Sequence, residues 1–466
     1  MIALAFGLAG ARGGVDATGP RTPATATATG ELAQLTGPPG CLMHPGPAVT
    51  GVCTGVPLVR SLSDVVVSPD GKHLYATGFR DGSVLAFRRD AATGQLFPLA
   101  GRAACTVNLV EHPDFYFCTG AVQLRGPESL AISPDGSNVY VASTGADAVL
   151  VFDRNAETGA LRQKSGTAGC VKKEPSGPCG VGRGINEPVG VEVTPGVGRT
   201  VYVASRKSNA VAVFGRKFTG DRGGLATLGC WSATGSGGGC QNGRGLHEAN
   251  AVTIAVGETR VFVSAAKDGV TFFRRHYQTG ALTAPAGRDA CINASGATCI
   301  GARVMKAPRA VLATRDARNL YVGTDEGIAV FTSGSASNAP VPLGGLDGCV
   351  GLGINCNVGA PAHALAESAD GKTLYAASNR NGGGSRNGRG VLFAYARNAT
   401  NGGLTRLAGP GGCFRAEIDP VPAYDPCGII RWPPFSATYI TSVAVSPDGR
   451  NVYASAGYGL LVFRRS

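Results

Sequence analysis

Three side chains able to do chemistry stand at one recurring place in the chain. Glu128, Arg309 and His363 each lie two residues ahead of the first apolar residue of a short strand-like run, at Leu130, Val311 and Leu365. The same place holds Ser63, Val189, Asn250 and Thr441 in the other copies of the pattern. An acid, a guanidinium and an imidazole at equivalent positions would converge if the copies surround an axis. The guanidinium offers paired N–H donors to a carboxylate or phosphate. The imidazole or the carboxylate can serve as general base on water or on a ring proton. A wetted channel also needs polar residues of these types, so a structural role stands beside the catalytic one.

The fourteen cysteines form seven close pairs: Cys41/Cys53, Cys105/Cys118, Cys170/Cys179, Cys230/Cys240, Cys291/Cys299, Cys349/Cys356 and Cys413/Cys427. Each pair falls once per repeat, just after a fourth strand, in the loop that crosses to the next unit. Seven local disulfides account for the even count, the spacing and the position together. Each would close a small loop, worth up to about 3 kcal/mol in the chain-entropy description. Zinc is the competing reading. It needs four neighbouring ligands, and no Cys-x2-Cys spacing occurs. Disulfides place the chain in an oxidising compartment, secreted, periplasmic or at a cell surface.

The elements that must position these residues repeat seven times. First strands begin at Val65, Leu130, Val191, Val252, Val311, Leu365 and Val443. Second strands are HLYATG from His73, NVYVAS from Asn138, TVYVAS from Thr200, RVFVSA from Arg260, NLYVGT from Asn319, TLYAAS from Thr373 and NVYASA from Asn451. Third strands end on an aromatic residue. A Thr-Gly or Asn-Gly turn then leads to a fourth strand opening on Leu, as at Leu96, Leu161, Leu282 and Leu404. The fifth copy departs, with a Ser-rich run over 332–338 before Val341. Between first and second strands lies Ser-Pro-Asp-Gly or a variant of it, in which Pro pre-sets φ and Gly takes φ > 0. Asp70, Asp135, Asp370 and Asp448 share that turn position, where a turn role explains them better than calcium binding does.

The seventh copy, 443–465, lacks its fourth strand, and the N-terminus holds a spare. Thr29-Gly30-Glu31-Leu32 carries the Thr-Gly-x-Leu signature. Circular closure follows: 31–37 completes the blade whose other three strands are C-terminal, which removes a free seam. The expected fold is all-β, a seven-bladed propeller of four-stranded antiparallel blades over 29–466. Residues 1–28 read as a signal-like, flexible segment, with an apolar stretch in Met1–Ala11 too short to span a bilayer. No later segment reads as a transmembrane helix.

A net charge of +12 fits a soluble, Arg-rich surface, with a basic face for an anionic partner such as an acidic glycan as the sharper alternative. Basic residues are scattered rather than interleaved with aromatics, so nucleic-acid binding is not expected. A Gly-x-Ser-x-Gly elbow is absent. Gly371-Lys372-Thr373 only mimics the end of a phosphate loop, because it is the turn of the sixth copy. The histidines show no metal-ligand spacing, and neither a metal nor a cofactor is expected.

Ser133-Pro134-Asp135-Gly136 followed by Asn138 to Ser143, and the matching run from Ser446 to Ser455, resemble two related groups. One is the YVTN-type propeller repeat of bacterial surface proteins. The other is the seven-bladed propeller lactonase family, which includes 6-phosphogluconolactonase and a fungal muconate-lactonizing enzyme. The resemblance runs from about residue 30 to the end. It implies the fold directly, and it implies His, Arg and Glu groups in the channel, here His363, Arg309 and Glu128. The shared motif consists of turn and core residues, so the first expectation is a secreted, monomeric binding scaffold for a protein or a small anionic ligand. The alternative is a lactone hydrolase acting on a small anionic lactone.

Overall fold

The computed structural model describes residues 30–45, 51–174, 177–235, 239–255, 257–333, 339–351, 356–378, 390–415, 427–430 and 439–466. The signal-like segment 1–28, Thr29, and 334–338 of the Ser-rich run lie outside the described residues. Seven small, mainly antiparallel sheets form the ring of a β-propeller. Blade one shows the plan. Its first strand Leu62–Val67 lies innermost, followed outward by His73–Gly78 and Ser83–Arg89. The second strand is buried at every position, which is why it reads as a continuous apolar run rather than an alternating one.

The expected fourth strand is present but broken. Leu96–Pro98 pairs with the end of the third strand, and Cys105–Val107 pairs with its start. A short 3-10 turn, Gly101–Ala104, joins the two halves. Blade three alone keeps the strand whole, as Leu225–Ser232 with a register shift in the middle. Beyond the fourth strand of blade one, the two-residue strand Thr119–Gly120 runs parallel to Cys105–Val107. Each blade has such an outer strand, which absorbs the length by which the repeat exceeds a short propeller blade.

All seven cysteine pairs are bonded as the spacing predicts: Cys41–Cys53, Cys105–Cys118, Cys170–Cys179, Cys230–Cys240, Cys291–Cys299, Cys349–Cys356 and Cys413–Cys427. Their sequence separations run from 7 in Cys349–Cys356 to 14 in Cys413–Cys427, and no cysteine is free. Their placement corrects the sequence expectation, which put both members in the crossing loop after the fourth strand. The first member belongs to the fourth strand itself, opening its second half in six blades and lying inside Leu225–Ser232 as Cys230 in blade three. The second member stands directly before the outer strand. Cys53 precedes Thr54–Gly55, Cys179 precedes Gly180–Val181, Cys240 precedes Gln241–Asn242 and Cys299 precedes Ile300–Gly301. Cys118, Cys356 and Cys427 stand likewise before Thr119–Gly120, Asn357–Val358 and Gly428–Ile429. Each bond therefore staples a two-residue strand, held by few ladder hydrogen bonds of its own, to the rim of its blade.

The closure is that of the sequence expectation. Leu32–Gln34 pairs antiparallel with Phe463 to Arg465, and Cys41–Met43 pairs with Gly459 to Leu461. The main chain knits the two ends further: Gly30 N–H donates to the Ser466 carbonyl and Ser466 N–H to that of Glu31, at 2.9 and 3.0 Å.

The core lies between blades. Tyr75, Val84 and Ala86 of blade one pack against Leu130, Val139, Val141 and Phe152 of blade two. At the end of the ring that carries the Ser-Pro-Asp-Gly turns, each such interface is clasped by polar groups. Arg154, wholly buried at the end of the third strand of blade two, donates to Asp70 of blade one at 2.7 Å and through Nε to the Tyr75 hydroxyl at 2.9 Å. That hydroxyl donates in turn to the Gly159 carbonyl, 2.7 Å away. Asp70 keeps its turn role, accepting from Ser68 Oγ and Lys72 N–H. Ion pairs Arg89–Asp448, Arg216–Asp135, Arg397–Asp316 and Arg465–Asp370 repeat the device. At the closure, Tyr375 donates to Gly30 of the N-terminal segment at 2.9 Å. Only between blades four and five are the tyrosine and arginine replaced, by Phe262 and Ser333. There Arg260 reaches across from blade four to the Ser333 carbonyl instead.

Candidate functional site: the mouth of the central channel

The opposite end of the ring is built by two sets of segments. One comprises the starts of the first strands. The other comprises the turns between second and third strands. In five blades the first strand opens with a bulge, and its extra residue is Ser63, Glu128, Val189, Asn250 or Thr441. Such insertions re-aim a side chain at a strand end. Arg309 and His363 stand at the same place, immediately before Ala310–Ala313 and Ala364–Glu367. All seven positions therefore stand at the starts of first strands, but their residues differ in role. Ser63 donates to the Pro127 carbonyl at 2.6 Å, Thr441 to that of Leu62 at 2.8 Å, and Asn250 to that of Pro308 at 3.2 Å. These three are staples between neighbouring first strands.

Arg309 and His363, on blades five and six, are brought together by a residue the sequence reading missed. Asp325 lies in the turn after the second strand of blade five. Its Oδ1 accepts from Arg309 Nε at 2.8 Å and lies 3.1 Å from His363 Nε2. Burial by itself would raise the Asp325 carboxyl. The Arg309 hydrogen bond and charge, with His363 behind them, outweigh it and hold the group below the ordinary carboxylate range. The signal for Asp325 was present in the sequence: Asp81, Asp147 and Asp268 occupy the same turn in blades one, two and four. Asp81 pairs with Arg60, and Asp268 meets His247 Nδ1 at 2.6 Å.

Glu128 does not join this group. It belongs to blade two, with two blades on either side separating it from blades five and six. Its partner is Arg206 of blade three, at 3.3 Å. Burial raises the Glu128 carboxyl, and Arg206 only partly reverses the effect. Two more acids stand on the first strands, Asp64 on blade one and Glu192 on blade three. Asp64 accepts from Ser442 Oγ at 2.7 Å and from the Leu130 and Val65 N–H groups, yet burial still raises it. Glu192, half-buried, is pushed up to about 8 by burial and by the nearby Asp64 charge. Among the described residues no group of three or more His, Cys, Asp or Glu is arranged to hold a metal ion.

One regularity runs through the ion pairs of this end. The cation is the exposed partner and the acid the covered one. Arg60 is 42% exposed against 7% for Asp81, Arg309 44% against 16% for Asp325, and Lys267 67% against 36% for Glu248. Arg206–Glu128 and Lys207–Glu187 follow the same order. Lys173–Glu174, between sequence neighbours on the outer rim, and His363–Asp325, at 8% against 16%, depart from it. The clasps at the other end are reversed, with Arg154 at 0% against 30% for Asp70.

The fold defines the class: a seven-bladed β-propeller with a propeller-lactonase-like fold. The solved structures it resembles include candidate 6-phosphogluconolactonases from two Bacteroides species. That of Bacteroides fragilis is 16% identical, with 87% of this chain and 90% of that chain covered and a TM-score of 0.52. That of Bacteroides uniformis is also 16% identical, covering 74% and 83%, with a TM-score of 0.50. Hydrazine synthase of Kuenenia stuttgartiensis is 17% identical, covering 87% and 96%, with a TM-score of 0.51. No family model and no curated protein matches the chain. Likeness at this identity concerns the fold.

Proposed function

We propose that the protein is a binding scaffold of an oxidising, extracytoplasmic compartment, with the channel mouth as its recognition surface. The observation that carries this reading is the pairing of the mouth charges. Arg309, the group that would anchor a substrate anion, already has its Nε and Nη2 on Asp325. Glu128, the acid that would complete a catalytic trio with Arg309 and His363, is held by Arg206 on another arc of the ring. Charges held in fixed pairs suit a surface that meets a partner better than a site that must develop and move charge. Seven disulfides favour the compartment.

A second reading rests on one specific contact. Asp325 fixes the His363 ring through Nε2, the arrangement by which a carboxylate orients an imidazole base. With Arg309 beside it, a small anionic lactone would find a base and a cation together. A panel of carboxylated and phosphorylated lactones, assayed with wild type and His363→Ala, separates the two. The scaffold reading expects no turnover above background and identical traces. Turnover by wild type that His363→Ala abolishes would replace it with the hydrolase.

A further inference from the structure

We propose that the mouth face docks a carboxylated polysaccharide, a polyuronate chain lying across several blades; this deepens the scaffold reading and rests on it. The first observation is the outward orientation of the cations. At a surface, the partner nearer to solvent dominates the potential met by an arriving ligand, because the covered partner is set back behind it. Arg60, Arg206, Lys267 and Arg309 are therefore presented with their acids serving as anchors, and Lys207 stands 3.8 Å from Glu187. Arg80 and Lys306 add exposed cations at the same end.

The second observation is their distribution. These groups are spread over blades one, three, four and five rather than gathered on one pocket. A single small anion would use one of them, whereas a chain with regularly repeated carboxylates uses several, each weakly. An arginine whose Nε edge is held by aspartate keeps other N–H donors for an incoming carboxylate.

The third observation is a group of exposed rings on blades one and seven. Phe79 of blade one and Tyr439 and Tyr458 of blade seven are 42%, 48% and 44% exposed. Backbone bonds join their segments, Phe79 N–H to the Ser61 carbonyl, Ser61 N–H to that of Gly457, and Gly457 N–H to that of Tyr439. Sugar rings offer C–H faces that lie against such aromatic surfaces, whose electron-rich faces attract positively polarised hydrogens. The two tyrosines stand on blade seven, while Phe79 shares blade one with Arg60 and Arg80.

Titration calorimetry with oligogalacturonate, at about 50 mM salt so that screening stays modest, tests the assignment. Three proteins are compared: wild type, Lys207→Gln/Lys267→Gln at the mouth, and Lys372→Gln/Arg450→Gln, which removes the same charge from exposed positions at the opposite end. Wild type is expected to bind. The mouth variant should bind about tenfold more weakly while melting at the wild-type temperature, and the opposite-end variant should match wild type. No binding, or equal weakening by both double variants, overturns the proposal. So does equal affinity for single-stranded DNA or dextran sulfate of matched charge. The lactone assay stands apart: turnover there removes the scaffold reading, while a failed titration without turnover removes only the polyuronate.

Discussion

Two acids of the channel carry opposite charge behaviour, and the residue scale shows why. Asp325 is kept ionised because a guanidinium and an imidazole face it. For Glu192 no cation offsets the burial, and the nearby Asp64 charge opposes its ionisation too. A carboxyl whose pKa rises on folding favours the folded state while protonated, so its stabilisation is complete below the unfolded value of about 4.3. That contribution is lost as pH rises toward about 8. Melting temperature measured from pH 4 to 8.5 (a range of about 4.5 units spanning both values) should therefore fall with a component that Glu192→Gln removes. Parallel curves for the two proteins would show that Glu192 titrates normally. For Asp325→Asn the expected cost is about 1–2 kcal/mol by denaturant unfolding, since Arg309 and His363 both lose a charged acceptor in a partly covered place.

At the scale of strands and turns, stability rests on contacts between blades. Asp135 provides an internal comparison, because two arginines reach the same carboxylate. Arg216 is wholly buried and lies 2.7 Å away, whereas Arg222 is 60% exposed at 3.3 Å. Arg216→Ala breaks a covered clasp and should cost about 2–4 kcal/mol. Arg222→Ala removes a solvated pair and should cost under about 1 kcal/mol. Equal losses would mean that the clasp contributes packing alone. The blade four–five junction, with Phe262 and Ser333 in the clasp positions, is the place where the repeat gave this device up. Arg260, the substitute there, is buried and its pKa is lowered by that burial.

The whole molecule depends on the seam between its two ends. Deleting residues 1–28 leaves Gly30, Glu31 and the strand Leu32–Gln34 in place, and should leave the melting temperature unchanged. Deleting 1–40 removes that strand, its pairing with Phe463 to Arg465, and the Gly30 carbonyl that Tyr375 requires. The ring then has an unpaired strand face and should melt much lower or aggregate. Equal melting of the two truncations would show that the closure adds nothing. Intact-mass thiol counting on the full chain expects no free cysteine.

Architecture was legible in the chain because it is written in local, repeated signals. Pro-Asp-Gly turns, apolar runs and paired cysteines recur at fixed offsets, and the missing last strand has its signature at the other terminus. Each of those signals is decided within a few residues of backbone. The pairing of Cys53, Cys179, Cys240 and Cys299 with their near neighbours was readable in the same way, but the outer strands that follow them were not, because two residues carry no strand pattern until a blade rim offers them a partner. The composition of the mouth was only half legible. Counting along first strands located Arg309 and His363, since a strand register fixes where its first residue lies. It could not find Asp325, which comes from a different segment of the blade, nor foresee that Glu128 would pair with Arg206 away from the other two. Likewise the turn aspartates disclosed their turn role but not their arginines, which lie about eighty residues away in sequence and meet them only when one blade packs on the next. Which charge of each pair faces water was decided last, by the packing of loops from neighbouring blades, because exposure belongs to the assembled surface and to no single stretch of sequence.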